Sequence, residues 1–450
     1  MFRLHMVNMP LVRPFRTSFG TDTVREVLIV EAVSADGISG WAECAASSWP
    51  GYSSEHTAAA IAVMTDHLIP ALRETTMDGD PEEVRTALDV MRGHPMAKTA
   101  IATSMLDVWL RERDQSMASF LGSTRTEVDC GVSVGIPTTE TLRELMEEVG
   151  EYVGAGYRRI KLKIEPGWDL EPVAAVRAQW PDMPLQVDAN QAYARSDAEH
   201  LAKLDEFNLL LIEQPLPEED WLGHRMLADA CATPICMDES ILSVASAESA
   251  LEFGSATIIN IKPGRVGSYL TARDIHDMCM ARKSPVWCGG MLETGIGRAA
   301  NLALAALPNF TLPGDTSASN RYYAVDITEP FVLQDGRLSV PQGPGIGVEP
   351  IPDLLAEFRI WTKDVLVVGP AGTNEVPRTS SAATLTALRL AIAETTPVWI
   401  GYADADGTTT EQIIDPIRMG GGSVTAFDHR TEQVKTFLVS RISGVAPLTP

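Results

Sequence analysis

The chain has 450 residues, 45% of them hydrophobic, and a formal net charge of −24. Such a length can bury one large core or two. So acidic a surface repels nucleic acid and anionic membrane, which removes both as expected partners. The longest apolar runs, such as Asn301–Pro308, break within about ten residues, too short to span a bilayer. The N-terminal MFRLHMVNMP has no apolar stretch ahead of a small-residue cleavage site, so a cytoplasmic protein is expected. Six cysteines, none in a Cys-x-x-Cys pair, read as buried thiols.

In chain order, residues 1–122 mix strands and helices. Glu26–Val33 is apolar and β-branched, and Asp36-Gly37 turns it into Ile38–Glu43, which predicts a hairpin. Asp80-Pro81-Glu82-Glu83 opens a helix, with Asp as N-cap and Pro at the first helical position. Ala97, Ala100, Ile101, Ser104, Met105 and Val108 recur at helical spacing and form a small-residue face for close packing.

Residues 123–319 change character. Short apolar runs (Cys130–Ile136, Arg159–Ile164, Pro184–Asn190, Leu209–Pro215, Pro234–Glu239, Ala256–Lys262, Pro285–Met291 and, more weakly, Asn309–Asp315) alternate with helical stretches. Eight such units predict a closed (β/α)8 barrel. Residues 320–361 read as β-rich and as a return to the first region. Residues 362–378 read as a linker, and residues 379–450 as a small β-rich module. Within it the spacing predicts a helix over Ala383–Glu394 and strands at Val398–Tyr402, Thr409–Ile414, Val424–Phe427 and Lys435–Val439.

The chemistry gathers at the strand ends. Lys163, Asp188, Glu213, Asp238 and Lys262 close five consecutive predicted strands at intervals of 25, 25, 25 and 24 residues. In a (β/α)8 barrel these ends meet at one mouth, where catalytic groups sit. Three neighbouring carboxylates repel one another unless a cation lies among them, and oxygen-only ligands favour Mg²⁺, with Mn²⁺ as the substitute. Two flanking lysines suit proton transfer on the two faces of a bound substrate. The natural reaction is removal of a proton α to a carboxylate, with the ion stabilising the enediolate. Lys161 faces the same way as Lys163. Their repulsion is expected to lower the pKa of Lys163 and make it a base, leaving Lys161 to bind the substrate carboxylate. The bland alternative is that these are ordinary solvated or ion-paired strand ends.

At RRIKLKIEPGWD (158–169), QVDANQAY (186–193), LLLIEQPL (209–216), MDES (237–240), NIKPGRVG (260–267) and CGGMLETGIGRAAN (288–301) the chain resembles the enolase superfamily. Within it the muconate-lactonising subgroup, and there the o-succinylbenzoate synthases and N-succinylamino acid racemases, are most similar. The resemblance spans roughly residues 1–360. It implies an α+β capping domain over the barrel, Mg²⁺ on Asp188, Glu213 and Asp238, and Lys163 with Lys262 as the acid/base pair. The implied activity is a lyase reaction. It eliminates water from 2-succinyl-6-hydroxy-2,4-cyclohexadiene-1-carboxylate to give 2-succinylbenzoate, on the menaquinone route. The alternative is N-succinylamino acid racemisation, or both. Arg265, three residues after Lys262, resembles the racemising members; it either tunes Lys262 or is a plain surface or anion-binding arginine. From another class stands a non-catalytic barrel scaffold with the C-terminal module as sensor.

Candidate substrate contacts are Ser133, Asn190, Gly290 and Met291, together with Phe19 in one of two lid segments, Phe15–Thr21 and Ser47–Ser53. Asn190 could instead brace the Asp188 turn. Glu293, near the mouth, is left without a role. A small carboxylate substrate and a homo-oligomer are expected. PVWIGYADADGTTTEQIIDPIRM and AFDHRTEQVKTFLVSRISGV resemble WYL-type domains, with Gly422-Ser423-Val424 where the naming triplet would stand. That departure leaves a sensing role open beside a passive appendage or an oligomer contact.

Overall fold

A computed structural model describes residues 1–72, 79–365, 367, 379–404 and 409–447. The predicted hairpin is the centre of the first sheet. Strands β1 (Phe2–Thr17), β2 (Gly20–Val33) and β3 (Ser39–Cys44) run antiparallel, with Val33 opposite Ser39 across the Asp36-Gly37 turn. Asp80 caps its helix as expected, accepting from the Glu82 N–H. Helix α1 (Pro95–Arg111) carries the small-residue face and packs on this sheet. The approach is so close that a Cβ at Gly40 would lie 2.3 Å from the Ser104 carbonyl oxygen, so only glycine fits there.

Seven parallel strands follow in sequential order: β4 (Gly131–Val134), β5 (Arg159–Lys163), β6 (Leu185–Asp188), β7 (Ile212–Glu213), β8 (Ile235–Met237), β9 (Ile258–Ile261) and β10 (Val286–Cys288). The weak eighth run closes the ring without becoming a regular strand. It bridges Val286 through Phe310 on one side and Cys130 through Gly314 on the other. Parallel register alternates the side chains. Ile160 and Leu162 join the large core under the helices, while Lys161 reaches the ring of Trp287 at 4.8 Å. Two helices matter to the mouth: α2 (Pro263–Val266), directly after β9, and α3 (Gly295–Ala305), after β10.

Residues 320–360 depart from the β-rich reading. Up to Phe358 they hold one short strand, Arg337–Ser339, and a helix, Pro352–Phe358, joined by turns and irregular chain. Their chain does return to the first sheet. Strand β11 (Arg359–Val365) pairs antiparallel with β1, placing Phe2 opposite Val365. The first four residues of the expected linker, Thr362–Val365, therefore belong to a strand. The linker reading over 368–378 lies outside the described residues.

The C-terminal module is helix α4 (Ser381–Glu394) on a five-stranded antiparallel sheet. Its strands are β12 (Val398–Ala403), β13 (Thr409–Gly420), β14 (Ser423–Asp428), β15 (Gln433–Leu438) and β16 (Ile442–Pro447). Strand β16, not foreseen, returns to pair with β12. The module has its own core of Leu388, Ile400, Ile414, Val424 and Phe437. Among the described residues no helix is long and apolar enough to cross a membrane. The six cysteines are free thiols, five of them buried.

Candidate active site

The strand ends converge as their spacing required. Lys163 and Asp188 are register partners on β5 and β6, and Asp188 and Glu213 on β6 and β7. Asp238 and Lys262 each lie one residue beyond the end of their strands, β8 and β9. All five side chains are buried. The two lysines flank the acid row. Lys163 Nζ donates to Asp188 Oδ2 at 2.6 Å and to Asn190 Oδ1 at 2.6 Å. Lys262 Nζ donates to Asp238 Oδ2 at 2.7 Å.

Lys161 is not free to take a substrate carboxylate in this arrangement. Its ammonium touches Asp315 at 2.7 Å, Glu213 at 3.0 Å and Asp188 at 3.3 Å. Burial alone would lower its pKa, but Asp315, Glu213 and Asp188 reverse this and hold it above the ordinary lysine value. The expected neighbour repulsion between Lys161 and Lys163 is thus screened by carboxylates between them. Glu213, in the middle of the row, is pushed up to about 8 by burial and by Asp188 and Asp238 on either side. Asp238 moves the other way. Burial would raise its pKa, but Arg265 and Lys262 outweigh it and hold the carboxyl well below the usual range.

Arg265 is not a surface residue. It is 3% exposed on α2, ion-paired with Asp238, and donates to the Asn260 and Ile241 carbonyl oxygens at 2.6 and 2.7 Å. Asn190 takes a strained backbone, φ 42°, and links Lys163 to Glu239, whose Oε1 it reaches at 3.1 Å. Its backbone N–H also donates to Asp188 Oδ1 at 3.0 Å, so it braces the Asp188 turn as well. Ser133 is the register neighbour of Lys161, and its buried hydroxyl has no partner. Met291 and Phe19 pack against the core of the capping half. Gly290 lies against Asp315: a Cβ there would be 3.0 Å from its carbonyl oxygen.

Both lid segments reach the mouth. Arg16 pairs with Glu140 at 2.6 Å and Glu165 at 2.9 Å, and Ser18 Oγ donates to the Ala189 and Asn190 carbonyl oxygens. A cavity of ≈ 380 Å³ beside them is lined by Ser18, Phe19, Glu165, Asn190 and Gln191. The other segment delivers Tyr52, a residue the sequence did not single out. Its hydroxyl accepts from Lys262 Nζ at 3.0 Å and from Arg265 at 3.1 Å, and donates to Asp238 Oδ2 at 3.2 Å. Asp315 and Asn260 were also missed, although a signal existed for each. Asp315 is the last residue of the eighth apolar run, an acid near a run's end like Asp188, Glu213 and Asp238. Asn260 stands two residues before Lys262, as Lys161 does before Lys163, and donates to Glu213 Oε1 at 2.8 Å.

The donor set suits a hard divalent ion: three buried carboxylates and no sulfur or imidazole among them. Burial and the flanking acids raise the Glu213 carboxyl even with Lys161 3.0 Å away, so further positive charge beside it would favour its ionised form. Among the described residues, no three acids, histidines or cysteines are drawn together in ion-binding geometry. The acid oxygens are turned instead onto Lys161, Lys163, Lys262 and Arg265.

Residues 2–122 match the mandelate racemase/muconate lactonizing enzyme N-terminal domain, and residues 144–354 the enolase C-terminal domain-like family. An N-succinylamino acid racemase of an Amycolatopsis species is 57% identical over 362 residues, covering 80% of this chain and 97% of its own. The chain belongs to the enolase superfamily. An o-succinylbenzoate synthase of Geobacillus stearothermophilus is 45% identical over 348 residues, covering 77% of this chain and 92% of its own. A solved enolase-superfamily protein from Listeria innocua superposes with a TM-score of 0.77 at 39% identity, covering 82% of this chain and 98% of its own. Superfamily members use Mg²⁺ and act on small carboxylates. Residues 383–447 match the WYL domain family, an addition beyond the span these relatives share.

Proposed function

We propose that this superfamily enzyme removes and returns the proton α to a substrate carboxylate, with Lys163 and Lys262 acting on opposite faces. N-succinylamino acid racemisation is the leading reaction. The observation that carries this reading is the placement of the lysines at the two ends of the acid row, each on a different acid, Asp188 and Asp238. Asp188, Glu213 and Asp238 would hold Mg²⁺ through the oxygens now turned onto the cationic side chains. When bound, the ion supplies positive charge beside the substrate carboxylate.

The protein's own groups do the rest. One lysine, as the free amine, takes the α-proton; the other, as ammonium, delivers a proton to the opposite face, and the roles reverse for the other enantiomer. Arg265 and Tyr52 fix Lys262 and Asp238, while Asn190 fixes Lys163. The two lid segments exclude water. The likeness of Arg265 to the racemising members and the 57% identity to a racemase support racemisation ahead of the synthase reaction first expected.

Dehydration to 2-succinylbenzoate is the second reading, supported by the synthase 45% identical over the same span. There Lys163 would remove the α-proton and return one to the departing hydroxyl, with Lys262 remaining cationic. Purified protein assayed on an N-succinyl amino acid and on the cyclohexadiene substrate, with and without chelator, tests both. Chelator-sensitive racemisation is expected; folded protein inert on both substrates would overturn the proposal.

A further inference from the structure

Strand β5 reads Arg159-Ile160-Lys161-Leu162-Lys163, and its alternate positions carry three cations on the inward face. Each rests on acids. Lys163 pairs with Asp188 at 2.6 Å and Arg159 with Asp315 at 2.9 Å. Lys161, between them, is shared by Asp315 at 2.7 Å, Glu213 at 3.0 Å and Asp188 at 3.3 Å. Two of the three acids on Lys161 are thus expected ion ligands, and the third is not.

Asp315 is firmly built in. Its Oδ1 accepts from Arg159 and its Oδ2 from Lys161, so both oxygens are taken by buried cations. Its N–H donates to the Cys288 carbonyl oxygen at 2.9 Å. Arg159 is fully buried and donates to the Pro313 carbonyl oxygen at 2.8 Å. It lies over Gly131, where a Cβ would come 2.3 Å from the guanidinium carbon. The Trp287 ring lies beside both cations, 4.8 Å from Lys161 and 5.3 Å from Arg159.

A divalent ion on Asp188 and Glu213 draws their oxygens off Lys161 and sets a second positive charge beside it. A buried ammonium left without a counter-charge is strongly disfavoured. Of the three acids on Lys161, only Asp315 stays with it.

We propose that Asp315 is a positioning residue for the ion site: anchored on Arg159, it keeps the Lys161 ammonium seated in the barrel while Asp188 and Glu213 turn to a divalent cation. The inference rests on the Mg²⁺ reading above. Without this seat Lys161 leans wholly on Asp188 and Glu213 and competes with the ion for their oxygens.

The test titrates the chelator-treated full-length protein with Mg²⁺ by calorimetry, so it needs no turnover. Asp315→Asn is expected to weaken Mg²⁺ binding about tenfold, a coupling usual within one ion network. In a Lys161→Gln background the same change is expected to weaken it less than about twofold, because the competitor is gone. Equal weakening in both backgrounds would show a field acting on the ion directly, and no weakening in either would show no role; each overturns the inference. A crystal structure of the wild-type protein with Mg²⁺ reads the seat without relying on any variant's folding. Lys161 Nζ is expected within hydrogen-bond distance of Asp315 and withdrawn from Asp188 and Glu213. Lys161 following those two acids, or Asp315 itself on the ion, would refute the seat. Wild-type protein that binds no Mg²⁺ would refute the ion reading and this inference together, whereas wild-type binding left unchanged by Asp315→Asn refutes this inference alone.

Discussion

The Tyr52 hydroxyl lies 3.0 Å from the Lys262 ammonium, although 210 residues separate the two in sequence. Tyr52 comes from the capping half and Lys262 from the barrel, so this contact joins the two parts at the lysine. The same hydroxyl is filled by Arg265 and Asp238, leaving it no spare hydrogen-bonding capacity. Tyr52→Phe removes an acceptor from two buried cations. Hydrogen bonds to charged groups contribute about 1.5–3 kcal/mol, which converts to a loss of roughly tenfold to a hundredfold in kcat/KM. The loss is expected in kcat more than in KM, measured with saturating Mg²⁺. An unchanged kcat would separate the lid from the lysine.

Removing either lysine is predicted to silence racemisation, because each face has only one proton-transfer group. General acid–base catalysis is worth about 10²–10⁴-fold, and Lys163→Ala and Lys262→Ala should each lose at least that. Lys262→Arg separates charge from proton transfer. It should stay inactive as a racemase while keeping measurable dehydration, if that reaction needs only a cation at the position. Near-normal rates in either alanine variant would refute the acid/base assignment.

The ion is tested apart from turnover. An ion that binds only the folded chain stabilises it by about 2.7 kcal/mol at a hundred times its dissociation constant. Mg²⁺ should therefore raise the Tm of the chelator-treated protein, and Asp238→Asn should abolish the rise. A rise of the same size in the variant would place the ion elsewhere. Asp238 informs most here because Lys262 and Arg265 both lean on it.

The row of acids and lysines was legible in the sequence because a parallel barrel turns a 25-residue period into spatial adjacency, and five ionisable groups kept that period. Asp315 lies 53 residues beyond Lys262, off that period, and its segment is too irregular to stand out. Tyr52 left no such trace. It sits in an irregular segment, and only the docking of the lid decides which of its residues points inward. The ion pairs of Lys161 left no trace for a related reason: the i, i+2 rule gave its direction but not the three acids beside it. Residues 320–360 misled because turn-rich composition is shared by strands and by the aperiodic chain that wraps the barrel. The edge strand Arg359–Val365 hid beside linker-like residues, since its alternation is partly exposed and weak.

That edge strand changes where the C-terminal module can be cut. A stop after Val367 keeps the β1 pairing, the Arg3–Asp364 ion pair at 2.7 Å and the Val367 contact with the capping core. Among the described residues it breaks an exposed ion pair, Lys363–Glu432, of the kind worth about 0–1 kcal/mol. Turnover is expected to survive at near wild-type rates. A stop after Trp361 strips Thr362–Val365 from β1 and should lower the Tm by several degrees. A folded but inactive 367-residue fragment would show that the module contributes to catalysis.

Glu43 gives the last prediction its sign. Its carboxyl stands at about 8 in the folded chain against an ordinary value of 4.5, owing first to burial and then to Glu293. Between those two pH values the folded state holds a proton that the unfolded state has released. Folding stability from this group is therefore complete below about pH 4.5 and is lost as the pH rises toward 8, at up to about 1.4 kcal/mol per pH unit. Glu43→Gln keeps an oxygen for the Thr294 and Gly297 N–H donors but cannot ionise. The Tm of the variant relative to wild type should accordingly climb as the pH is raised from 5 to 9. Parallel curves would mean that Glu43 is already ionised in the fold.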